Sequence, residues 1–150
     1  MDQKYQLGLK TAFASEYCFV LKAQNFHWNV EGPLFVQLHE LFGNIYEEVY
    51  GSIDTFAEQL RALDIYAPAS LTKFNMLSAV QDENSVPDFQ TMLRELLEDS
   101  EKMVNIFRIA FQMSEAAGDH GLSDFLAGRQ DAHKKHSWML RASLYCFILN

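Results

Sequence analysis

The chain is short of the residues that interrupt regular structure, with three prolines and seven glycines among 150 residues. An all-β fold needs a turn roughly every ten residues, so that scarcity argues against one. Cysteine is scarce too. Cys18 and Cys146 lie far apart, and the chain has neither CxxC nor a Cys/His zinc spacing. They read as reduced, packed thiols of a cytosolic protein. Basic residues are outnumbered, 12 Lys and Arg against 20 Asp and Glu, for a net charge of −8. Lys134-Lys135 is the only adjacent basic pair. A protein that grips nucleic acid presents a basic face or tail, so DNA is not an expected partner; a polyanion attracts cations instead. No apolar run approaches the ~20 residues that cross a bilayer. The opening Met1-Asp2-Gln3-Lys4 lacks the apolar core of a secretory signal, and the expected compartment is the cytoplasm. What the chain has in quantity is apolar surface, 49% hydrophobic residues and 13% aromatic. That excludes intrinsic disorder and suits one domain spanning 1–150.

Three breaks divide the chain: Val30-Glu31-Gly32-Pro33, the stretch from Asp64 to Pro87, and Gly118-Asp119-His120-Gly121. Between them lie four segments, Tyr5–Asn29, Leu34–Leu63, Asp88–Ala117 and Leu122–Leu149. In the second, Leu38, Phe42, Ile45, Val49, Ile53, Phe56, Leu60 and Leu63 recur at spacings of three and four. Phe89, Leu93, Leu96, Met103, Phe107 and Ala110 do much the same in the third. This is the stripe of a helix packed on a core. Four long helices, with a long crossover between the second and third and a short helix near Leu71–Met76, predict an all-α, ferritin-like four-helix bundle.

The second helix has a second face. With Val49 at zero and ~100° per residue, the core stripe stays within about 40°, while His39 falls near 80°, Asp54 near 140° and Glu58 near 180°. Asp54 and Glu58 are i,i+4 neighbours whose carboxylates reach one ion. His39 is about 22 Å from Asp54 along the axis and cannot join them within one chain. A second copy of the helix, packed antiparallel, would bring them together in a two-fold dimer. Gly43 and Gly51, on the same outer face, would allow the approach. His27 ends the first helix just before the tight turn, near His39. Two imidazoles and two carboxylates suit iron, zinc, cobalt or manganese. Taken singly, each residue also reads as an ordinary packing histidine or solvated acid. A di-iron site within one bundle requires Glu-x-x-His on two helices, and no Glu here has a His three residues later.

The string Asn25-Phe26-His27-Trp28-Asn29-Val30-Glu31-Gly32, then Phe35, Leu38-His39-Glu40 and Asp54-Thr55-Phe56-Ala57-Glu58, resembles the Dps family of mini-ferritins. Tyr66 to Ser70, Asp119 to Asp124 and Trp138 to Ala142 continue the likeness over nearly the whole chain. The resemblance implies a dodecameric hollow shell with ferroxidase centres at two-fold interfaces, where iron(II) is oxidised by hydrogen peroxide or oxygen and stored as mineral. His27 and His39 of one subunit, with Asp54 and Glu58 of its mate, would bind the iron, or zinc in its place. Trp28 matches the tryptophan that intercepts oxidising equivalents beside that centre, and reads equally as a large interface residue. Asp119 and Asp124 match acids lining the iron-entry pore, although Asp119 or Ser123 would equally cap the fourth helix. Glu40, Glu47 and Glu48 are either mineral-nucleating acids or a solvated face.

Two positions depart from the family pattern. Gly43 stands where many members carry an acid that assists a second iron, and Glu47, one turn later, is its candidate substitute; Gly43→Asp is expected to restore the ligand, provided the closely packed helices can accommodate it. The DNA-condensing members have a basic flexible tail, and only Lys4 precedes the first helix here. Two alternatives therefore stand beside the ferroxidase shell: a metal-binding scaffold with little or no ferroxidase activity, and a nucleoid-binding structural protein. His133 and His136 lie at i,i+3 and either bind an adventitious ion or, as the intervening Lys134 and Lys135 favour, belong to a solvated face. Met76, Met92, Met103, Met113 and Met139 read as core filler. The apolar Leu144–Leu149 end reads as helix buried against the bundle or a neighbour.

Overall fold

A computed structural model describes residues 1–148, with side chains as far as Tyr145. It holds five helices: α1 (Gln3–Asn29), α2 (Phe35–Ala62), α3 (Leu71–Leu77), α4 (Phe89–Ala116) and α5 (His120–Ile148). No strand occurs among the described residues. Side chains cap four of the helix starts. Asp2 accepts from the Lys4 N–H, Ser70 from Lys73, Asp88 from Thr91 and Asp119 from Leu122, each satisfying an amide that the first turn leaves free. Chain reversals use positive φ at Gly32 (118°) and Gly118 (76°), a region that glycine enters without steric cost.

The long helices form two pairs, α1 with α2 and α4 with α5, and α1 also packs on α4. Their shared core is built from Phe19, Phe26, Phe42, Phe56 and Phe107 with Leu9, Ile45, Leu93, Leu96 and Met103, all fully buried. The stripes foreseen for α2 and α4 point inward; Ile53, Leu63 and Phe89 sit at its edge, half-buried. Of the methionines expected as filler, Met92 and Met103 are buried and Met113 and Met139 pack at the margin. Met76 is a correction, being 77% exposed. Only Phe74 of the seven-residue α3 is buried, and a residue two places on points nearly opposite at ~100° per residue.

The crossover is anchored along α1 and α4. Phe74 stacks on Tyr17 with ring centroids 4.3 Å apart. The Ala79 N–H donates to Ser15 Oγ at 2.8 Å, and Lys102 Nζ donates to the Ala79 carbonyl at 3.2 Å. Cys18 is buried and unbonded to another cysteine, with its thiol 4.0 Å from the Phe74 carbonyl; burial pushes that thiol's pKa up. Cys146 and most of the Leu144–Leu149 end lie outside the described side chains. Within that end Leu144 is buried and Tyr145 exposed.

Candidate metal centre

His27 and His39 meet where α1 ends and α2 begins. Their rings stack with centroids 3.9 Å apart and planes inclined by 15°. His27 Nδ1 lies 2.5 Å from the His39 carbonyl oxygen, and His39 Nδ1 lies 2.6 Å from the His27 carbonyl oxygen. A carbonyl only accepts, so both Nδ1 atoms carry the proton. In the neutral imidazoles both Nε2 atoms then keep a lone pair, the arrangement in which histidine binds a metal. One of the orienting acceptors exists because a helix stops. The His27 carbonyl belongs to the last turn of α1, where an intrahelical partner is missing. Phe35 stacks on the outer side of His39 at 5.2 Å, and Tyr46 lies 5.3 Å from His27.

Gly43 has a more specific role than easing helix approach. A Cβ at this position would come within 2.8 Å of His27 Cε1 and Nδ1, so the imidazole of the same chain fills the space. The room that Gly43→Asp needs is limited by the chain itself: the new side chain has to displace a ring that a hydrogen bond to the His39 carbonyl and a stack hold in place. Gly51, by contrast, has open space where its side chain would be.

Asp54 and Glu58 are both exposed, on the outer face where the angular reading put them. The chain does not bring them to the histidines, and among the described residues no group of three His, Cys, Asp or Glu side chains is placed to hold a metal ion. Trp28 is 62% exposed and Val36 68%, so apolar surface continues past the histidines into solvent. Asp119 caps α5, and Asp124 is exposed in a groove between α2 and α5 that Glu47 and Glu48 also line. Ser123 is buried and donates to Ser114 and to the Asp119 carbonyl instead of serving as the cap.

Away from the outer face, the bundle interior holds a polar cluster that overturns one expectation. His133 and His136 are buried, at 0% and 4% exposure, not on a solvated face. His133 Nε2 lies 2.6 Å from Glu16 Oε2, and His136 Nε2 lies 2.8 Å from Glu48 Oε1. Arg129 sits between the carboxylates, Nη2 at 2.7 Å from Glu16 and Nη1 at 2.6 Å from Glu48. Glu48 is thus committed to an ion pair as well as to the groove. Burial alone would raise both carboxyls; His133 and Arg129 outweigh it at Glu16 and hold it low, and His136 and Arg129 bring Glu48 to about 2. The signal was present in the sequence. Leu122, Leu126, Arg129, His133, His136, Leu140 and Leu144 step by threes and fours, so the three polar residues continue the core stripe of α5.

The likenesses to other proteins agree with this architecture. The ferritin-like domain model of the Ferritin family matches residues 6–145. The chain is 32% identical over 136 residues to an uncharacterized low temperature-induced protein of Nostoc sp., covering 89% of this chain and 76% of the relative. It is 32% identical over 144 residues to the DNA protection during starvation protein of Brevibacillus brevis, covering 96% and 97%. Among solved structures, Dps from Thermosynechococcus elongatus matches with a TM-score of 0.91 at 27% identity, over 95% of this chain and 90% of that one. With the bundle, its crossover and the match along nearly the full chain in agreement, the chain belongs to the Dps family of ferritin-like proteins.

Proposed function

We propose that this chain builds an iron-storage mini-ferritin, a closed shell of twelve subunits in which iron(II) is the substrate. The ion is held between two subunits, oxidised by hydrogen peroxide or oxygen, and deposited as ferric mineral inside. The observation that carries this reading is the His27–His39 pair, with both Nδ1 atoms committed to carbonyls and both Nε2 atoms left for a ligand. Asp54 and Glu58 sit exposed on the same α2, out of reach along their own helix. A partner's α2 lying antiparallel would supply the carboxylates, two nitrogens and two oxygens in all. The same donors suit zinc. One peroxide accepts an electron from each of two iron(II) ions and, with two protons, becomes two waters. The protein supplies ligands and proximity, and the iron supplies the electrons. Trp28, next to His27 in the chain and open to solvent, is placed to intercept oxidising equivalents that escape.

Gly43 supports one tight ion per centre, because the space that could hold a further carboxylate is taken by His27. It also favours a second reading, a shell whose centre binds metal but oxidises it slowly. Anaerobic calorimetric titration with iron(II), followed by a peroxide pulse, separates the two. We expect about one tight ion per centre and rapid oxidation, lost in His39→Ala and Asp54→Ala while light scattering shows the assembly unchanged. Wild-type oxidation rates in both variants would sink the proposal.

A further inference from the structure

We propose that Arg129 is a built-in cation occupying a second metal site at the centre of the bundle, and that it keeps transition ions out of the subunit interior. Glu16 from α1 and Glu48 from α2 hold its guanidinium, and His133 and His136 from α5 each bond to one of those glutamates. Each glutamate gives an oxygen to Arg129, and each also meets a histidine Nε2. Two carboxylates and two imidazoles are a donor set that a divalent first-row ion accepts.

Charge points the same way. Counting only the carboxylates and the guanidinium, the cluster stands at −1. Removing the arginine leaves −2 in a site where Glu16 is fully buried, a condition that the interior tolerates only with a counter-ion or protonation. A divalent ion supplies the missing charge in full. The surrounding groups already orient the ligands: Ser52 Oγ donates to Glu16 Oε1 at 3.3 Å, and Ser100 Oγ lies 3.3 Å from His133 Nδ1. As a purely structural network the cluster is incomplete, since the buried His136 Nδ1 has no hydrogen-bond partner. It is also reachable. The groove between α2 and α5, about 680 Å³ in volume and open to solvent, is lined by Glu47, Glu48, Asp124 and Arg129.

The experiment is zinc binding to the assembled protein, counted by equilibrium dialysis and elemental analysis, with the wild-type count as baseline. Arg129→Ala should take up one additional zinc per chain, and zinc should raise its Tm more than that of the wild type. Arg129→Lys, which keeps the charge, should stay at the wild-type count. Adding Glu16→Gln to Arg129→Ala should abolish the gain. Should that double variant fail to assemble, the cobalt(II) derivative of Arg129→Ala decides, through the presence or absence of an imidazole-ligated visible band that His136→Ala weakens. A folded Arg129→Ala with the wild-type zinc count overturns the proposal. So does a gain that survives loss of Glu16, a cobalt derivative without the imidazole band, or an Arg129→Ala chain that stays unfolded even with zinc present.

Discussion

A glycine and a lysine show how much a single residue decides here. Gly43 lies against the His27 ring, and a methyl group 2.8 Å from two ring atoms cannot be accommodated without moving it. Gly43→Ala should therefore weaken iron(II) binding, read by anaerobic calorimetry, with little change in helix content. Gly43→Asp should not add a second tight ion, because its carboxylate arrives at the cost of the histidine. Unchanged affinity in Gly43→Ala would show that His27 is free to tilt away. Lys22 is the opposite case, a charge that the sequence hides. It is buried with Asp99 at 2.7 Å, joining α1 to α4. Breaking a buried pair from one side typically costs about 3–5 kcal/mol. Lys22→Ala should show a fall of that order in denaturant unfolding, and the double change to Lys22→Met with Asp99→Leu should recover much of it.

At the scale of the element, α2 and α4 were legible because each turns one apolar stripe to the core and leaves the rest polar. The first helix was harder to read: it packs against α2, α3 and α4, and its buried positions include Glu16 and Lys22. Those charges look like solvent-facing residues until their partners on α5 and α4 are known. The same holds for Arg129, His133 and His136, whose place in the stripe of α5 was outweighed by the neighbouring lysines. Such pairings give the helices opposed pH responses. The Glu48 carboxyl, between α2 and α5, is held at about 2, so its contribution is present above the ordinary 4.5 and lost as pH falls towards 2. Glu95 of α4 is pushed up to about 7 by burial and by Glu83. The native state then holds a proton more tightly than the unfolded chain, and that contribution is present below 4.5 and lost as pH rises through 7. Thermal melts should accordingly weaken both towards pH 2 and above neutrality. Glu95→Gln should flatten the upper limb alone; an unchanged upper limb would mean that Glu95 ionises freely.

For the whole molecule, the bundle was readable from four periodic segments and three breaks, while the metal centre was readable only as halves. Angles around α2 separated His39, Asp54 and Glu58 from the core, and the helical rise separated them from one another. No reading of one chain joins them; in the centre proposed above, the joining element belongs to another copy. What one chain could not show in sequence was the exchange of carbonyl bonds between His27 and His39, which depends on how α1 meets α2. Two measurements belong at this scale. Light scattering should give an assembly far larger than one chain, and a stable monomer would remove the basis for a shared centre. Gel retardation at low salt and near neutral pH should show little DNA binding, as the charge of −8 per chain repels phosphate. Salt-sensitive retardation at submicromolar protein would reveal a basic patch formed by assembly.

The exchange of carbonyl bonds makes the end of α1 part of the chemistry. Had the helix run one turn further, the Glu31 N–H would claim the His27 carbonyl, as each N–H in a helix claims the carbonyl four residues back. His39 Nδ1 would then share that acceptor with a helix amide, as His27 Nδ1 shares the His39 carbonyl inside α2. The chain instead turns at Gly32, whose φ of 118° few other residues adopt, and Pro33 follows it. How far the His27 carbonyl is reserved for His39 therefore depends on where a helix runs out, several bonds away from any ring. A substitution such as Gly32→Ala touches neither histidine. It would nonetheless reach the pair through the main chain, as a change in how His39 is held.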